Sequence, residues 1–98
     1  MNINSIKNGN WSDLDTWNIK VPEFNDVVYI NHEIIFNDEI NNKYIGVFIL
    51  KDGLLHLYNN IYLNDLVIIG GKIFCFSNSL ISSNKIASEN YIEENGII

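Results

Sequence analysis

The chain predicts an all-β fold, in the form of a short solenoid of stacked coils. Three observations predict it. No stretch carries apolar residues at a convincing helical spacing. Short runs rich in β-branched and aromatic residues alternate with turns of Gly, Asn and Asp. These runs also recur at a spacing of roughly 18 residues, a length suited to one short coil. In that repeat Gly53 aligns with Gly71, Leu50 with Ile68 and Ile86, and Leu55 with Ile73 and Tyr91. Leu57 aligns with Cys75, Asn60 with Asn78, and Leu63 with Ile81. Alternate residues of each coil point inward, so equivalent apolar side chains stack in columns and Asn takes the corners. The alternative is an antiparallel β-sandwich of hairpins, whose turns at Asp52-Gly53 and Gly70-Gly71 look the same in sequence.

The 98 residues make one domain with a modest core, read as a cap over 1–26, β coils over 27–92 and a tail over 93–98. Ser5-Ile6-Lys7 is a candidate short strand entering the cap. Trp11 and Trp17 supply more apolar area than other loop residues, so they cover one end of the core. Between them Ser12, Asp13 and Asp15 are turn formers whose side chains cap backbone amides. Pro22 and Asp26 complete the cap and lead into the first long strand.

Runs from Val27 to Asn31 and from Glu33 to Asn37 read as strands around an Asn31-His32 turn. Asp38 to Asn42 is a polar connection. Runs from Tyr44 to Leu50 and Leu54 to Tyr58 flank Lys51-Asp52-Gly53, where Gly53 is available for positive φ. After Asn59-Asn60 come a short run from Ile61 to Leu63, a second from Leu66 to Ile69, and a third from Lys72 to Phe76. The pattern weakens beyond Ser79, although Leu80 to Ala87 still fits a coil. An open last coil exposes core and strand edge, so it needs a cap or a partner. Ile97 and Ile98 either fold back to plug that end or insert into a neighbour.

Gly9-x-Trp11-Ser12-Asp13-x-x-Thr16-Trp17, then Val21-Pro22, then Asp26-x-Val28-x-Ile30 resembles the opening of G8-type domains and related β-helix segments. The strand-turn-strand from Leu66 through Gly70-Gly71 to Ile73 extends the likeness over about the first three quarters of the chain. Such segments occur in phage virion proteins and bacterial surface proteins. The resemblance implies a right-handed β-helix used for binding or assembly, and no catalytic set.

Charge narrows the function classes. The net charge is −6, the six Lys are scattered singly and there is no Arg. Nucleic-acid binding depends on neutralising phosphates, and bidentate anion recognition depends on Arg, so both are disfavoured. A single Cys excludes an intramolecular disulfide. Met1 to Ser5 carries neither a basic nor an apolar leader region, so no secretion signal is expected. The chain is expected to be made in a host cytoplasm and to leave it, if at all, within a particle. Asn and Ile are each roughly one residue in six, above average usage, a bias that AT-rich codons favour.

No residue constellation points to catalysis. Asp13 with Asp15, Asp38 with Glu39 and Glu93 with Glu94 are the acid pairs; the first sits in a turn and the others are adjacent, solvated residues. His32, His56 and Cys75 have no metal-ligand spacing, and Cys75 matches Leu57 in the repeat. No dense acidic loop for Ca²⁺ occurs either. No metal or cofactor is expected. His56 and Phe74 share the outward sense opposite to Leu55 and Ile73, and Tyr58 stacks on Phe76, which makes one outer face partly apolar. An apolar outer face on a small protein marks a partner. The candidate interface is therefore His56, Phe74, Ile97 and Ile98. The expected function is a non-enzymatic virion component, such as a capsid decoration, fibre or tail-associated subunit, whose partners are other virion proteins or its own copies. The alternative is a carbohydrate-binding or adhesion module with outer aromatics and Asn or Asp side chains on a glycan.

Overall fold

The computed structural model describes residues 1–37, 45–76, 79 and 81–88. All regular elements there are strands apart from one 3₁₀ turn, Leu14–Thr16. In chain order the strands are β1 (Asn2–Asn4), β2 (Gly9–Asn10), β3 (Val27–Ile30), β4 (Glu33–Phe36) and β5 (Gly46–Ile49). They continue as β6 (Leu54–Leu57), β7 (Ile61–Ile68), β8 (Lys72–Cys75) and β9 (Ile81–Ser88). The chain passes alternately between two sheets, one ordered β1-β3-β5-β7-β9 and the other β2-β4-β6-β8. Every pairing within both sheets is parallel.

This topology fits the alternative antiparallel sandwich poorly, because none of the expected turns closes a hairpin. The strands on either side of Asn31-His32, of Lys51 to Gly53 and of Gly70-Gly71 lie in different sheets. Each strand pairs with the next but one. The turns themselves hydrogen-bond between successive layers: Leu50 N donates to Ile30 O at 3.0 Å, and Ile69 N to Ile49 O at 2.8 Å. Positive φ falls at Gly70 (88°) and not at Gly53. Gly53 is required for a different reason: a Cβ there would collide with the Ile30 carbonyl oxygen of the layer below. Lys72 N reaches Gly53 O at 3.1 Å, which sets Gly71 over Gly53 as the repeat predicts.

Alternation writes the core. β4 and β6 each bury every second residue, Ile34 and Phe36 on one, Leu55 and Leu57 on the other. The buried set runs through both sheets from Ile3 and Trp11 to Leu66, Ile68 and Ile73. In the larger sheet Ile3, Val28, Val47, Leu66 and Ile86 form one register column. In the smaller sheet Ile34, Leu55 and Ile73 form another, with Phe36, Leu57 and Cys75 beside it.

The columns built on a constant repeat are corrected in part. Leu55 over Ile73 and Leu57 over Cys75 are register partners. Ile68, however, lies over Ile49 and not Leu50, Ile86 lies over Leu66, and Ile81 lies over Ile61 and not Leu63. Layer lengths differ: Leu54 to Lys72 is a step of 18 residues, Val27 to Gly46 one of 19 and Ile61 to Ile81 one of 20. The pairings expected for Asn78 and Tyr91 fall outside the described residues.

Two strand boundaries also differ. Ser5-Ile6-Lys7 is not a strand; β1 and β2 flank it, and Ser5 makes an isolated antiparallel bridge with Trp17. The runs expected from Ile61 to Leu63 and from Leu66 to Ile69 merge into one strand, β7, which ends at Ile68. Its alternation slips at Asn64-Asp65, so Leu63 and Leu66 are both buried. Parallel pairing to β9 is kept on both sides of Asn64, from Ile61↔Ile81 to Leu63↔Ser83 and from Asp65↔Lys85 to Ile68↔Ser88.

Candidate functional site

Two regions carry the candidate residues. The first is the cap. Trp11 is fully buried, and its ring meets Phe36 edge-on at 5.3 Å and 90°. Trp17 packs on it at 5.2 Å and 73°, and its indole Nε1 donates to Trp11 O at 2.8 Å. Trp11 N in turn donates to Ile35 O at 2.9 Å, tying this loop to β4. Trp11 Nε1 is buried with no hydrogen-bond partner. Thr16 is buried as well, its hydroxyl donating to Asn10 O at 2.8 Å.

Asp13 departs from its expected role. It occupies the N-cap of the 3₁₀ turn but makes no side-chain cap hydrogen bond there. Its carboxylate is exposed and accepts from Asn10 Nδ2 at 3.4 Å. Asp15 is exposed too. Pro22 is buried.

Asp26 is the cap acid that does the bonding. It is buried, accepts from Glu23 N at 2.8 Å, and pairs with Lys20 Nζ at 2.7 Å. Burial pushes its carboxyl up, but the Lys20 and Glu23 hydrogen bonds and the nearby positive charges outweigh that, and its pKa lies below the ordinary value. Lys20 is raised in return, first through its hydrogen bond to Asp26 and then through Glu23. Asn25, at φ 67°, makes the tight bend that aims the Asp26 carboxylate back at Glu23 N.

The second region is the outer face of the smaller sheet. Because Ile34, Leu55 and Ile73 point inward, their neighbours Ile35, His56 and Phe74 point outward, and register places them in one row. His56 stacks near-parallel on Phe74 (6.0 Å, 27°) and on Phe76 (5.9 Å, 20°). Tyr58 lies on Phe76 at 4.6 Å and 8°. Glu33 Oε1 lies 3.2 Å from His56 Nε2, an ion pair when the imidazole is protonated. Asn8 Oδ1 accepts from Glu33 N at 2.9 Å. Beside this row lies a recess of about 300 Å³ lined by Asn8, Gly9, Glu33, Ile35 and His56.

Of the sequence-derived interface, His56 and Phe74 thus lie side by side, and Ile97 and Ile98 fall outside the described residues. Asn8, Glu33 and Ile35 were missed. Glu33 and Ile35 had a legible signal, since they alternate with the buried Ile34 and Phe36; Asn8 had none.

Ser5 Oγ and His32 Nδ1 are 2.8 Å apart, a pairing across 27 positions that the sequence does not announce. Ser5 is buried and its oxygen also accepts from Asn31 N at 2.8 Å, so this pair ties β1 to the turn after β3 and exposes no nucleophile. Cys75 is half-buried, and burial raises its thiol pKa against an opposing hydrogen bond from Ser79. Among the described residues no group of three or more His, Cys, Asp or Glu could hold a metal ion. Nor is any helix among them long and apolar enough to cross a membrane. No family model, curated protein or solved structure matches the chain.

Proposed function

We propose that the chain is a short right-handed β-solenoid that works by assembly and not by catalysis, as a structural component of a phage virion. Two sheets visited alternately by parallel strands support the solenoid, and right-handed crossover is the sense that parallel connections adopt in nearly all folds. The observation that carries the assembly reading is the difference between the two ends. Trp11 and Trp17 are buried beside the first strands, whereas Ile86, the last member of the first core column among the described residues, is 48% exposed on β9, the last described strand of its sheet. A terminal strand with an inward-phase apolar side chain in water is an edge suited to further β pairing. The partner is a second copy of the chain, docking edge to edge on β9. The N-terminal resemblance to G8-type and β-helix segments supports the virion setting.

Sedimentation velocity over a concentration series tests the docking. The parent chain should self-associate, and Ile86→Glu should remain monomeric with an unchanged far-ultraviolet spectrum. A parent that stays monomeric at the highest soluble concentration refutes docking on β9. Head or tail genes beside its gene would support the virion setting, and metabolic neighbours would refute it.

A further inference from the structure

The ring stack on the smaller sheet stops at His56. The next residue in the row is Ile35, which is aliphatic and exposed, and β2 beyond it brings Gly9 to the same recess. Two aromatic side chains are thus followed by a gap of about 300 Å³, at the lower end of ligand-pocket sizes, about 300–1,000 Å³. The lining is mixed. Ile35 and the His56 ring are apolar surfaces, while Glu33 and Asn8 bring a carboxylate and an amide to the rim.

We propose that this recess binds one ring of a neutral glycan. The C–H face of a sugar ring packs on Ile35 and His56 and continues the stack that Phe74 and His56 begin. Asn8 spends its Oδ1 on Glu33 N, which leaves its NH₂ to donate to a hydroxyl. Glu33 offers carboxylate oxygens to an adjacent hydroxyl and holds His56 in place through Oε1. A donor and an acceptor side by side over an apolar floor is what a pair of neighbouring hydroxyls requires. Acidic sugars are disfavoured, because the rim carries a carboxylate and the chain has a net charge of −6. The site goes beyond the assembly reading and stands apart from it, since β4 and β6 belong to the sheet that does not contain β9.

The test uses the full chain labelled with ¹⁵N, titrated with methyl β-D-galactopyranoside and methyl α-D-glucopyranoside. D-glucuronate and indole serve as comparison probes. One of the neutral glycosides should shift the amides of Asn8, Gly9, Glu33, Ile35 and His56, and glucuronate should bind about tenfold more weakly. Ile35→Tyr should extend the ring stack into the recess, keep the parent's melting temperature or raise it, and abolish the shifts. Glu33→Gln, which keeps the side-chain shape, should weaken the glycoside about tenfold through loss of a charge-assisted hydrogen bond. If neither glycoside moves these amides, the proposal is wrong. It is equally wrong if indole alone moves them, which would mean a planar aromatic occupant, or if both variants fold and bind like the parent.

Discussion

Leu66 and Ile86 are register partners across β7 and β9, yet Leu66 is fully buried and Ile86 is 48% exposed. Their side chains have the same phase and similar size, so the difference lies in what covers them. Among the described residues Leu66 has a strand on either side, and Ile86 ends the column. Replacing each with Ala should therefore separate them. Leu66→Ala should cost about 2–5 kcal/mol by lost burial and cavity formation. Ile86→Ala should cost less than about 1 kcal/mol in the monomer. Urea denaturation at low protein concentration measures both, and equal losses would contradict the exposed position of Ile86.

Trp17 combines burial, a ring contact with Trp11 and a hydrogen bond to the Trp11 carbonyl. Trp17→Ala should destabilise by about 3–5 kcal/mol. Trp17→Phe keeps an aromatic ring but leaves the buried Trp11 carbonyl without that donor, and should lose about 1–3 kcal/mol. A Phe variant that melts with the parent would mean that the indole N–H contributes nothing.

The Asp26 carboxyl has a folded-state pKa below its unfolded value. Its stabilisation is therefore fully present above the ordinary carboxylate range, about 4, and is lost as pH falls through the lowered folded pKa. Lys20 behaves with the opposite sign, its raised pKa contributing stability that is lost only as pH rises through it in strongly alkaline solution. Asp26→Asn should lower the melting temperature at neutral pH and flatten the acid limb of the stability curve. Thermal melts between pH 2 and 7 are the measurement, and an unchanged acid limb would remove Asp26 from the linkage.

Gly53→Ala should be poorly tolerated although Gly53 does not need positive φ. The added Cβ meets backbone, the Ile30 carbonyl oxygen, together with Ile49 Cγ2 at 3.0 Å. Backbone of an adjacent layer cannot swing aside as a surface side chain does, so a loss of about 1–3 kcal/mol is expected. Gly46 is the control: the nearest atom to an added Cβ there is Asp65 Cβ at 3.9 Å, ordinary contact. Chemical denaturation of both variants should show Gly53→Ala as the weaker protein.

The outer face was legible where alternation was unbroken. His56 and Phe74 could be paired from the 18-residue step because β6 and β8 keep that step. Glu33 and Ile35 were not joined to them, because β4 reaches β6 by a step of 21 residues, from Glu33 to Leu54. Asn8 enters the recess through its hydrogen bond to Glu33 N, 25 positions away, which nothing local to Asn8 encodes.

By itself the sequence determined most of the strand runs from Val27 onward, the inward and outward sense of most residues within a run, the turns between them, and a Trp-bearing loop before them. All of these follow from side-chain alternation and turn chemistry, which act over a few residues. Only the tertiary structure decided which strands pair. A run followed by a turn and another run reads alike whether the second run pairs back as a hairpin or crosses to another sheet. It also decided the register. Ile68 over Ile49 differs from Ile68 over Leu50 by one residue, and one residue exchanges the two faces of a strand. The slip in alternation at Asn64-Asp65 and the unequal steps between paired strands belong to the same register, and the close approach of Gly53 to the Ile30 carbonyl exists only once the strands have paired.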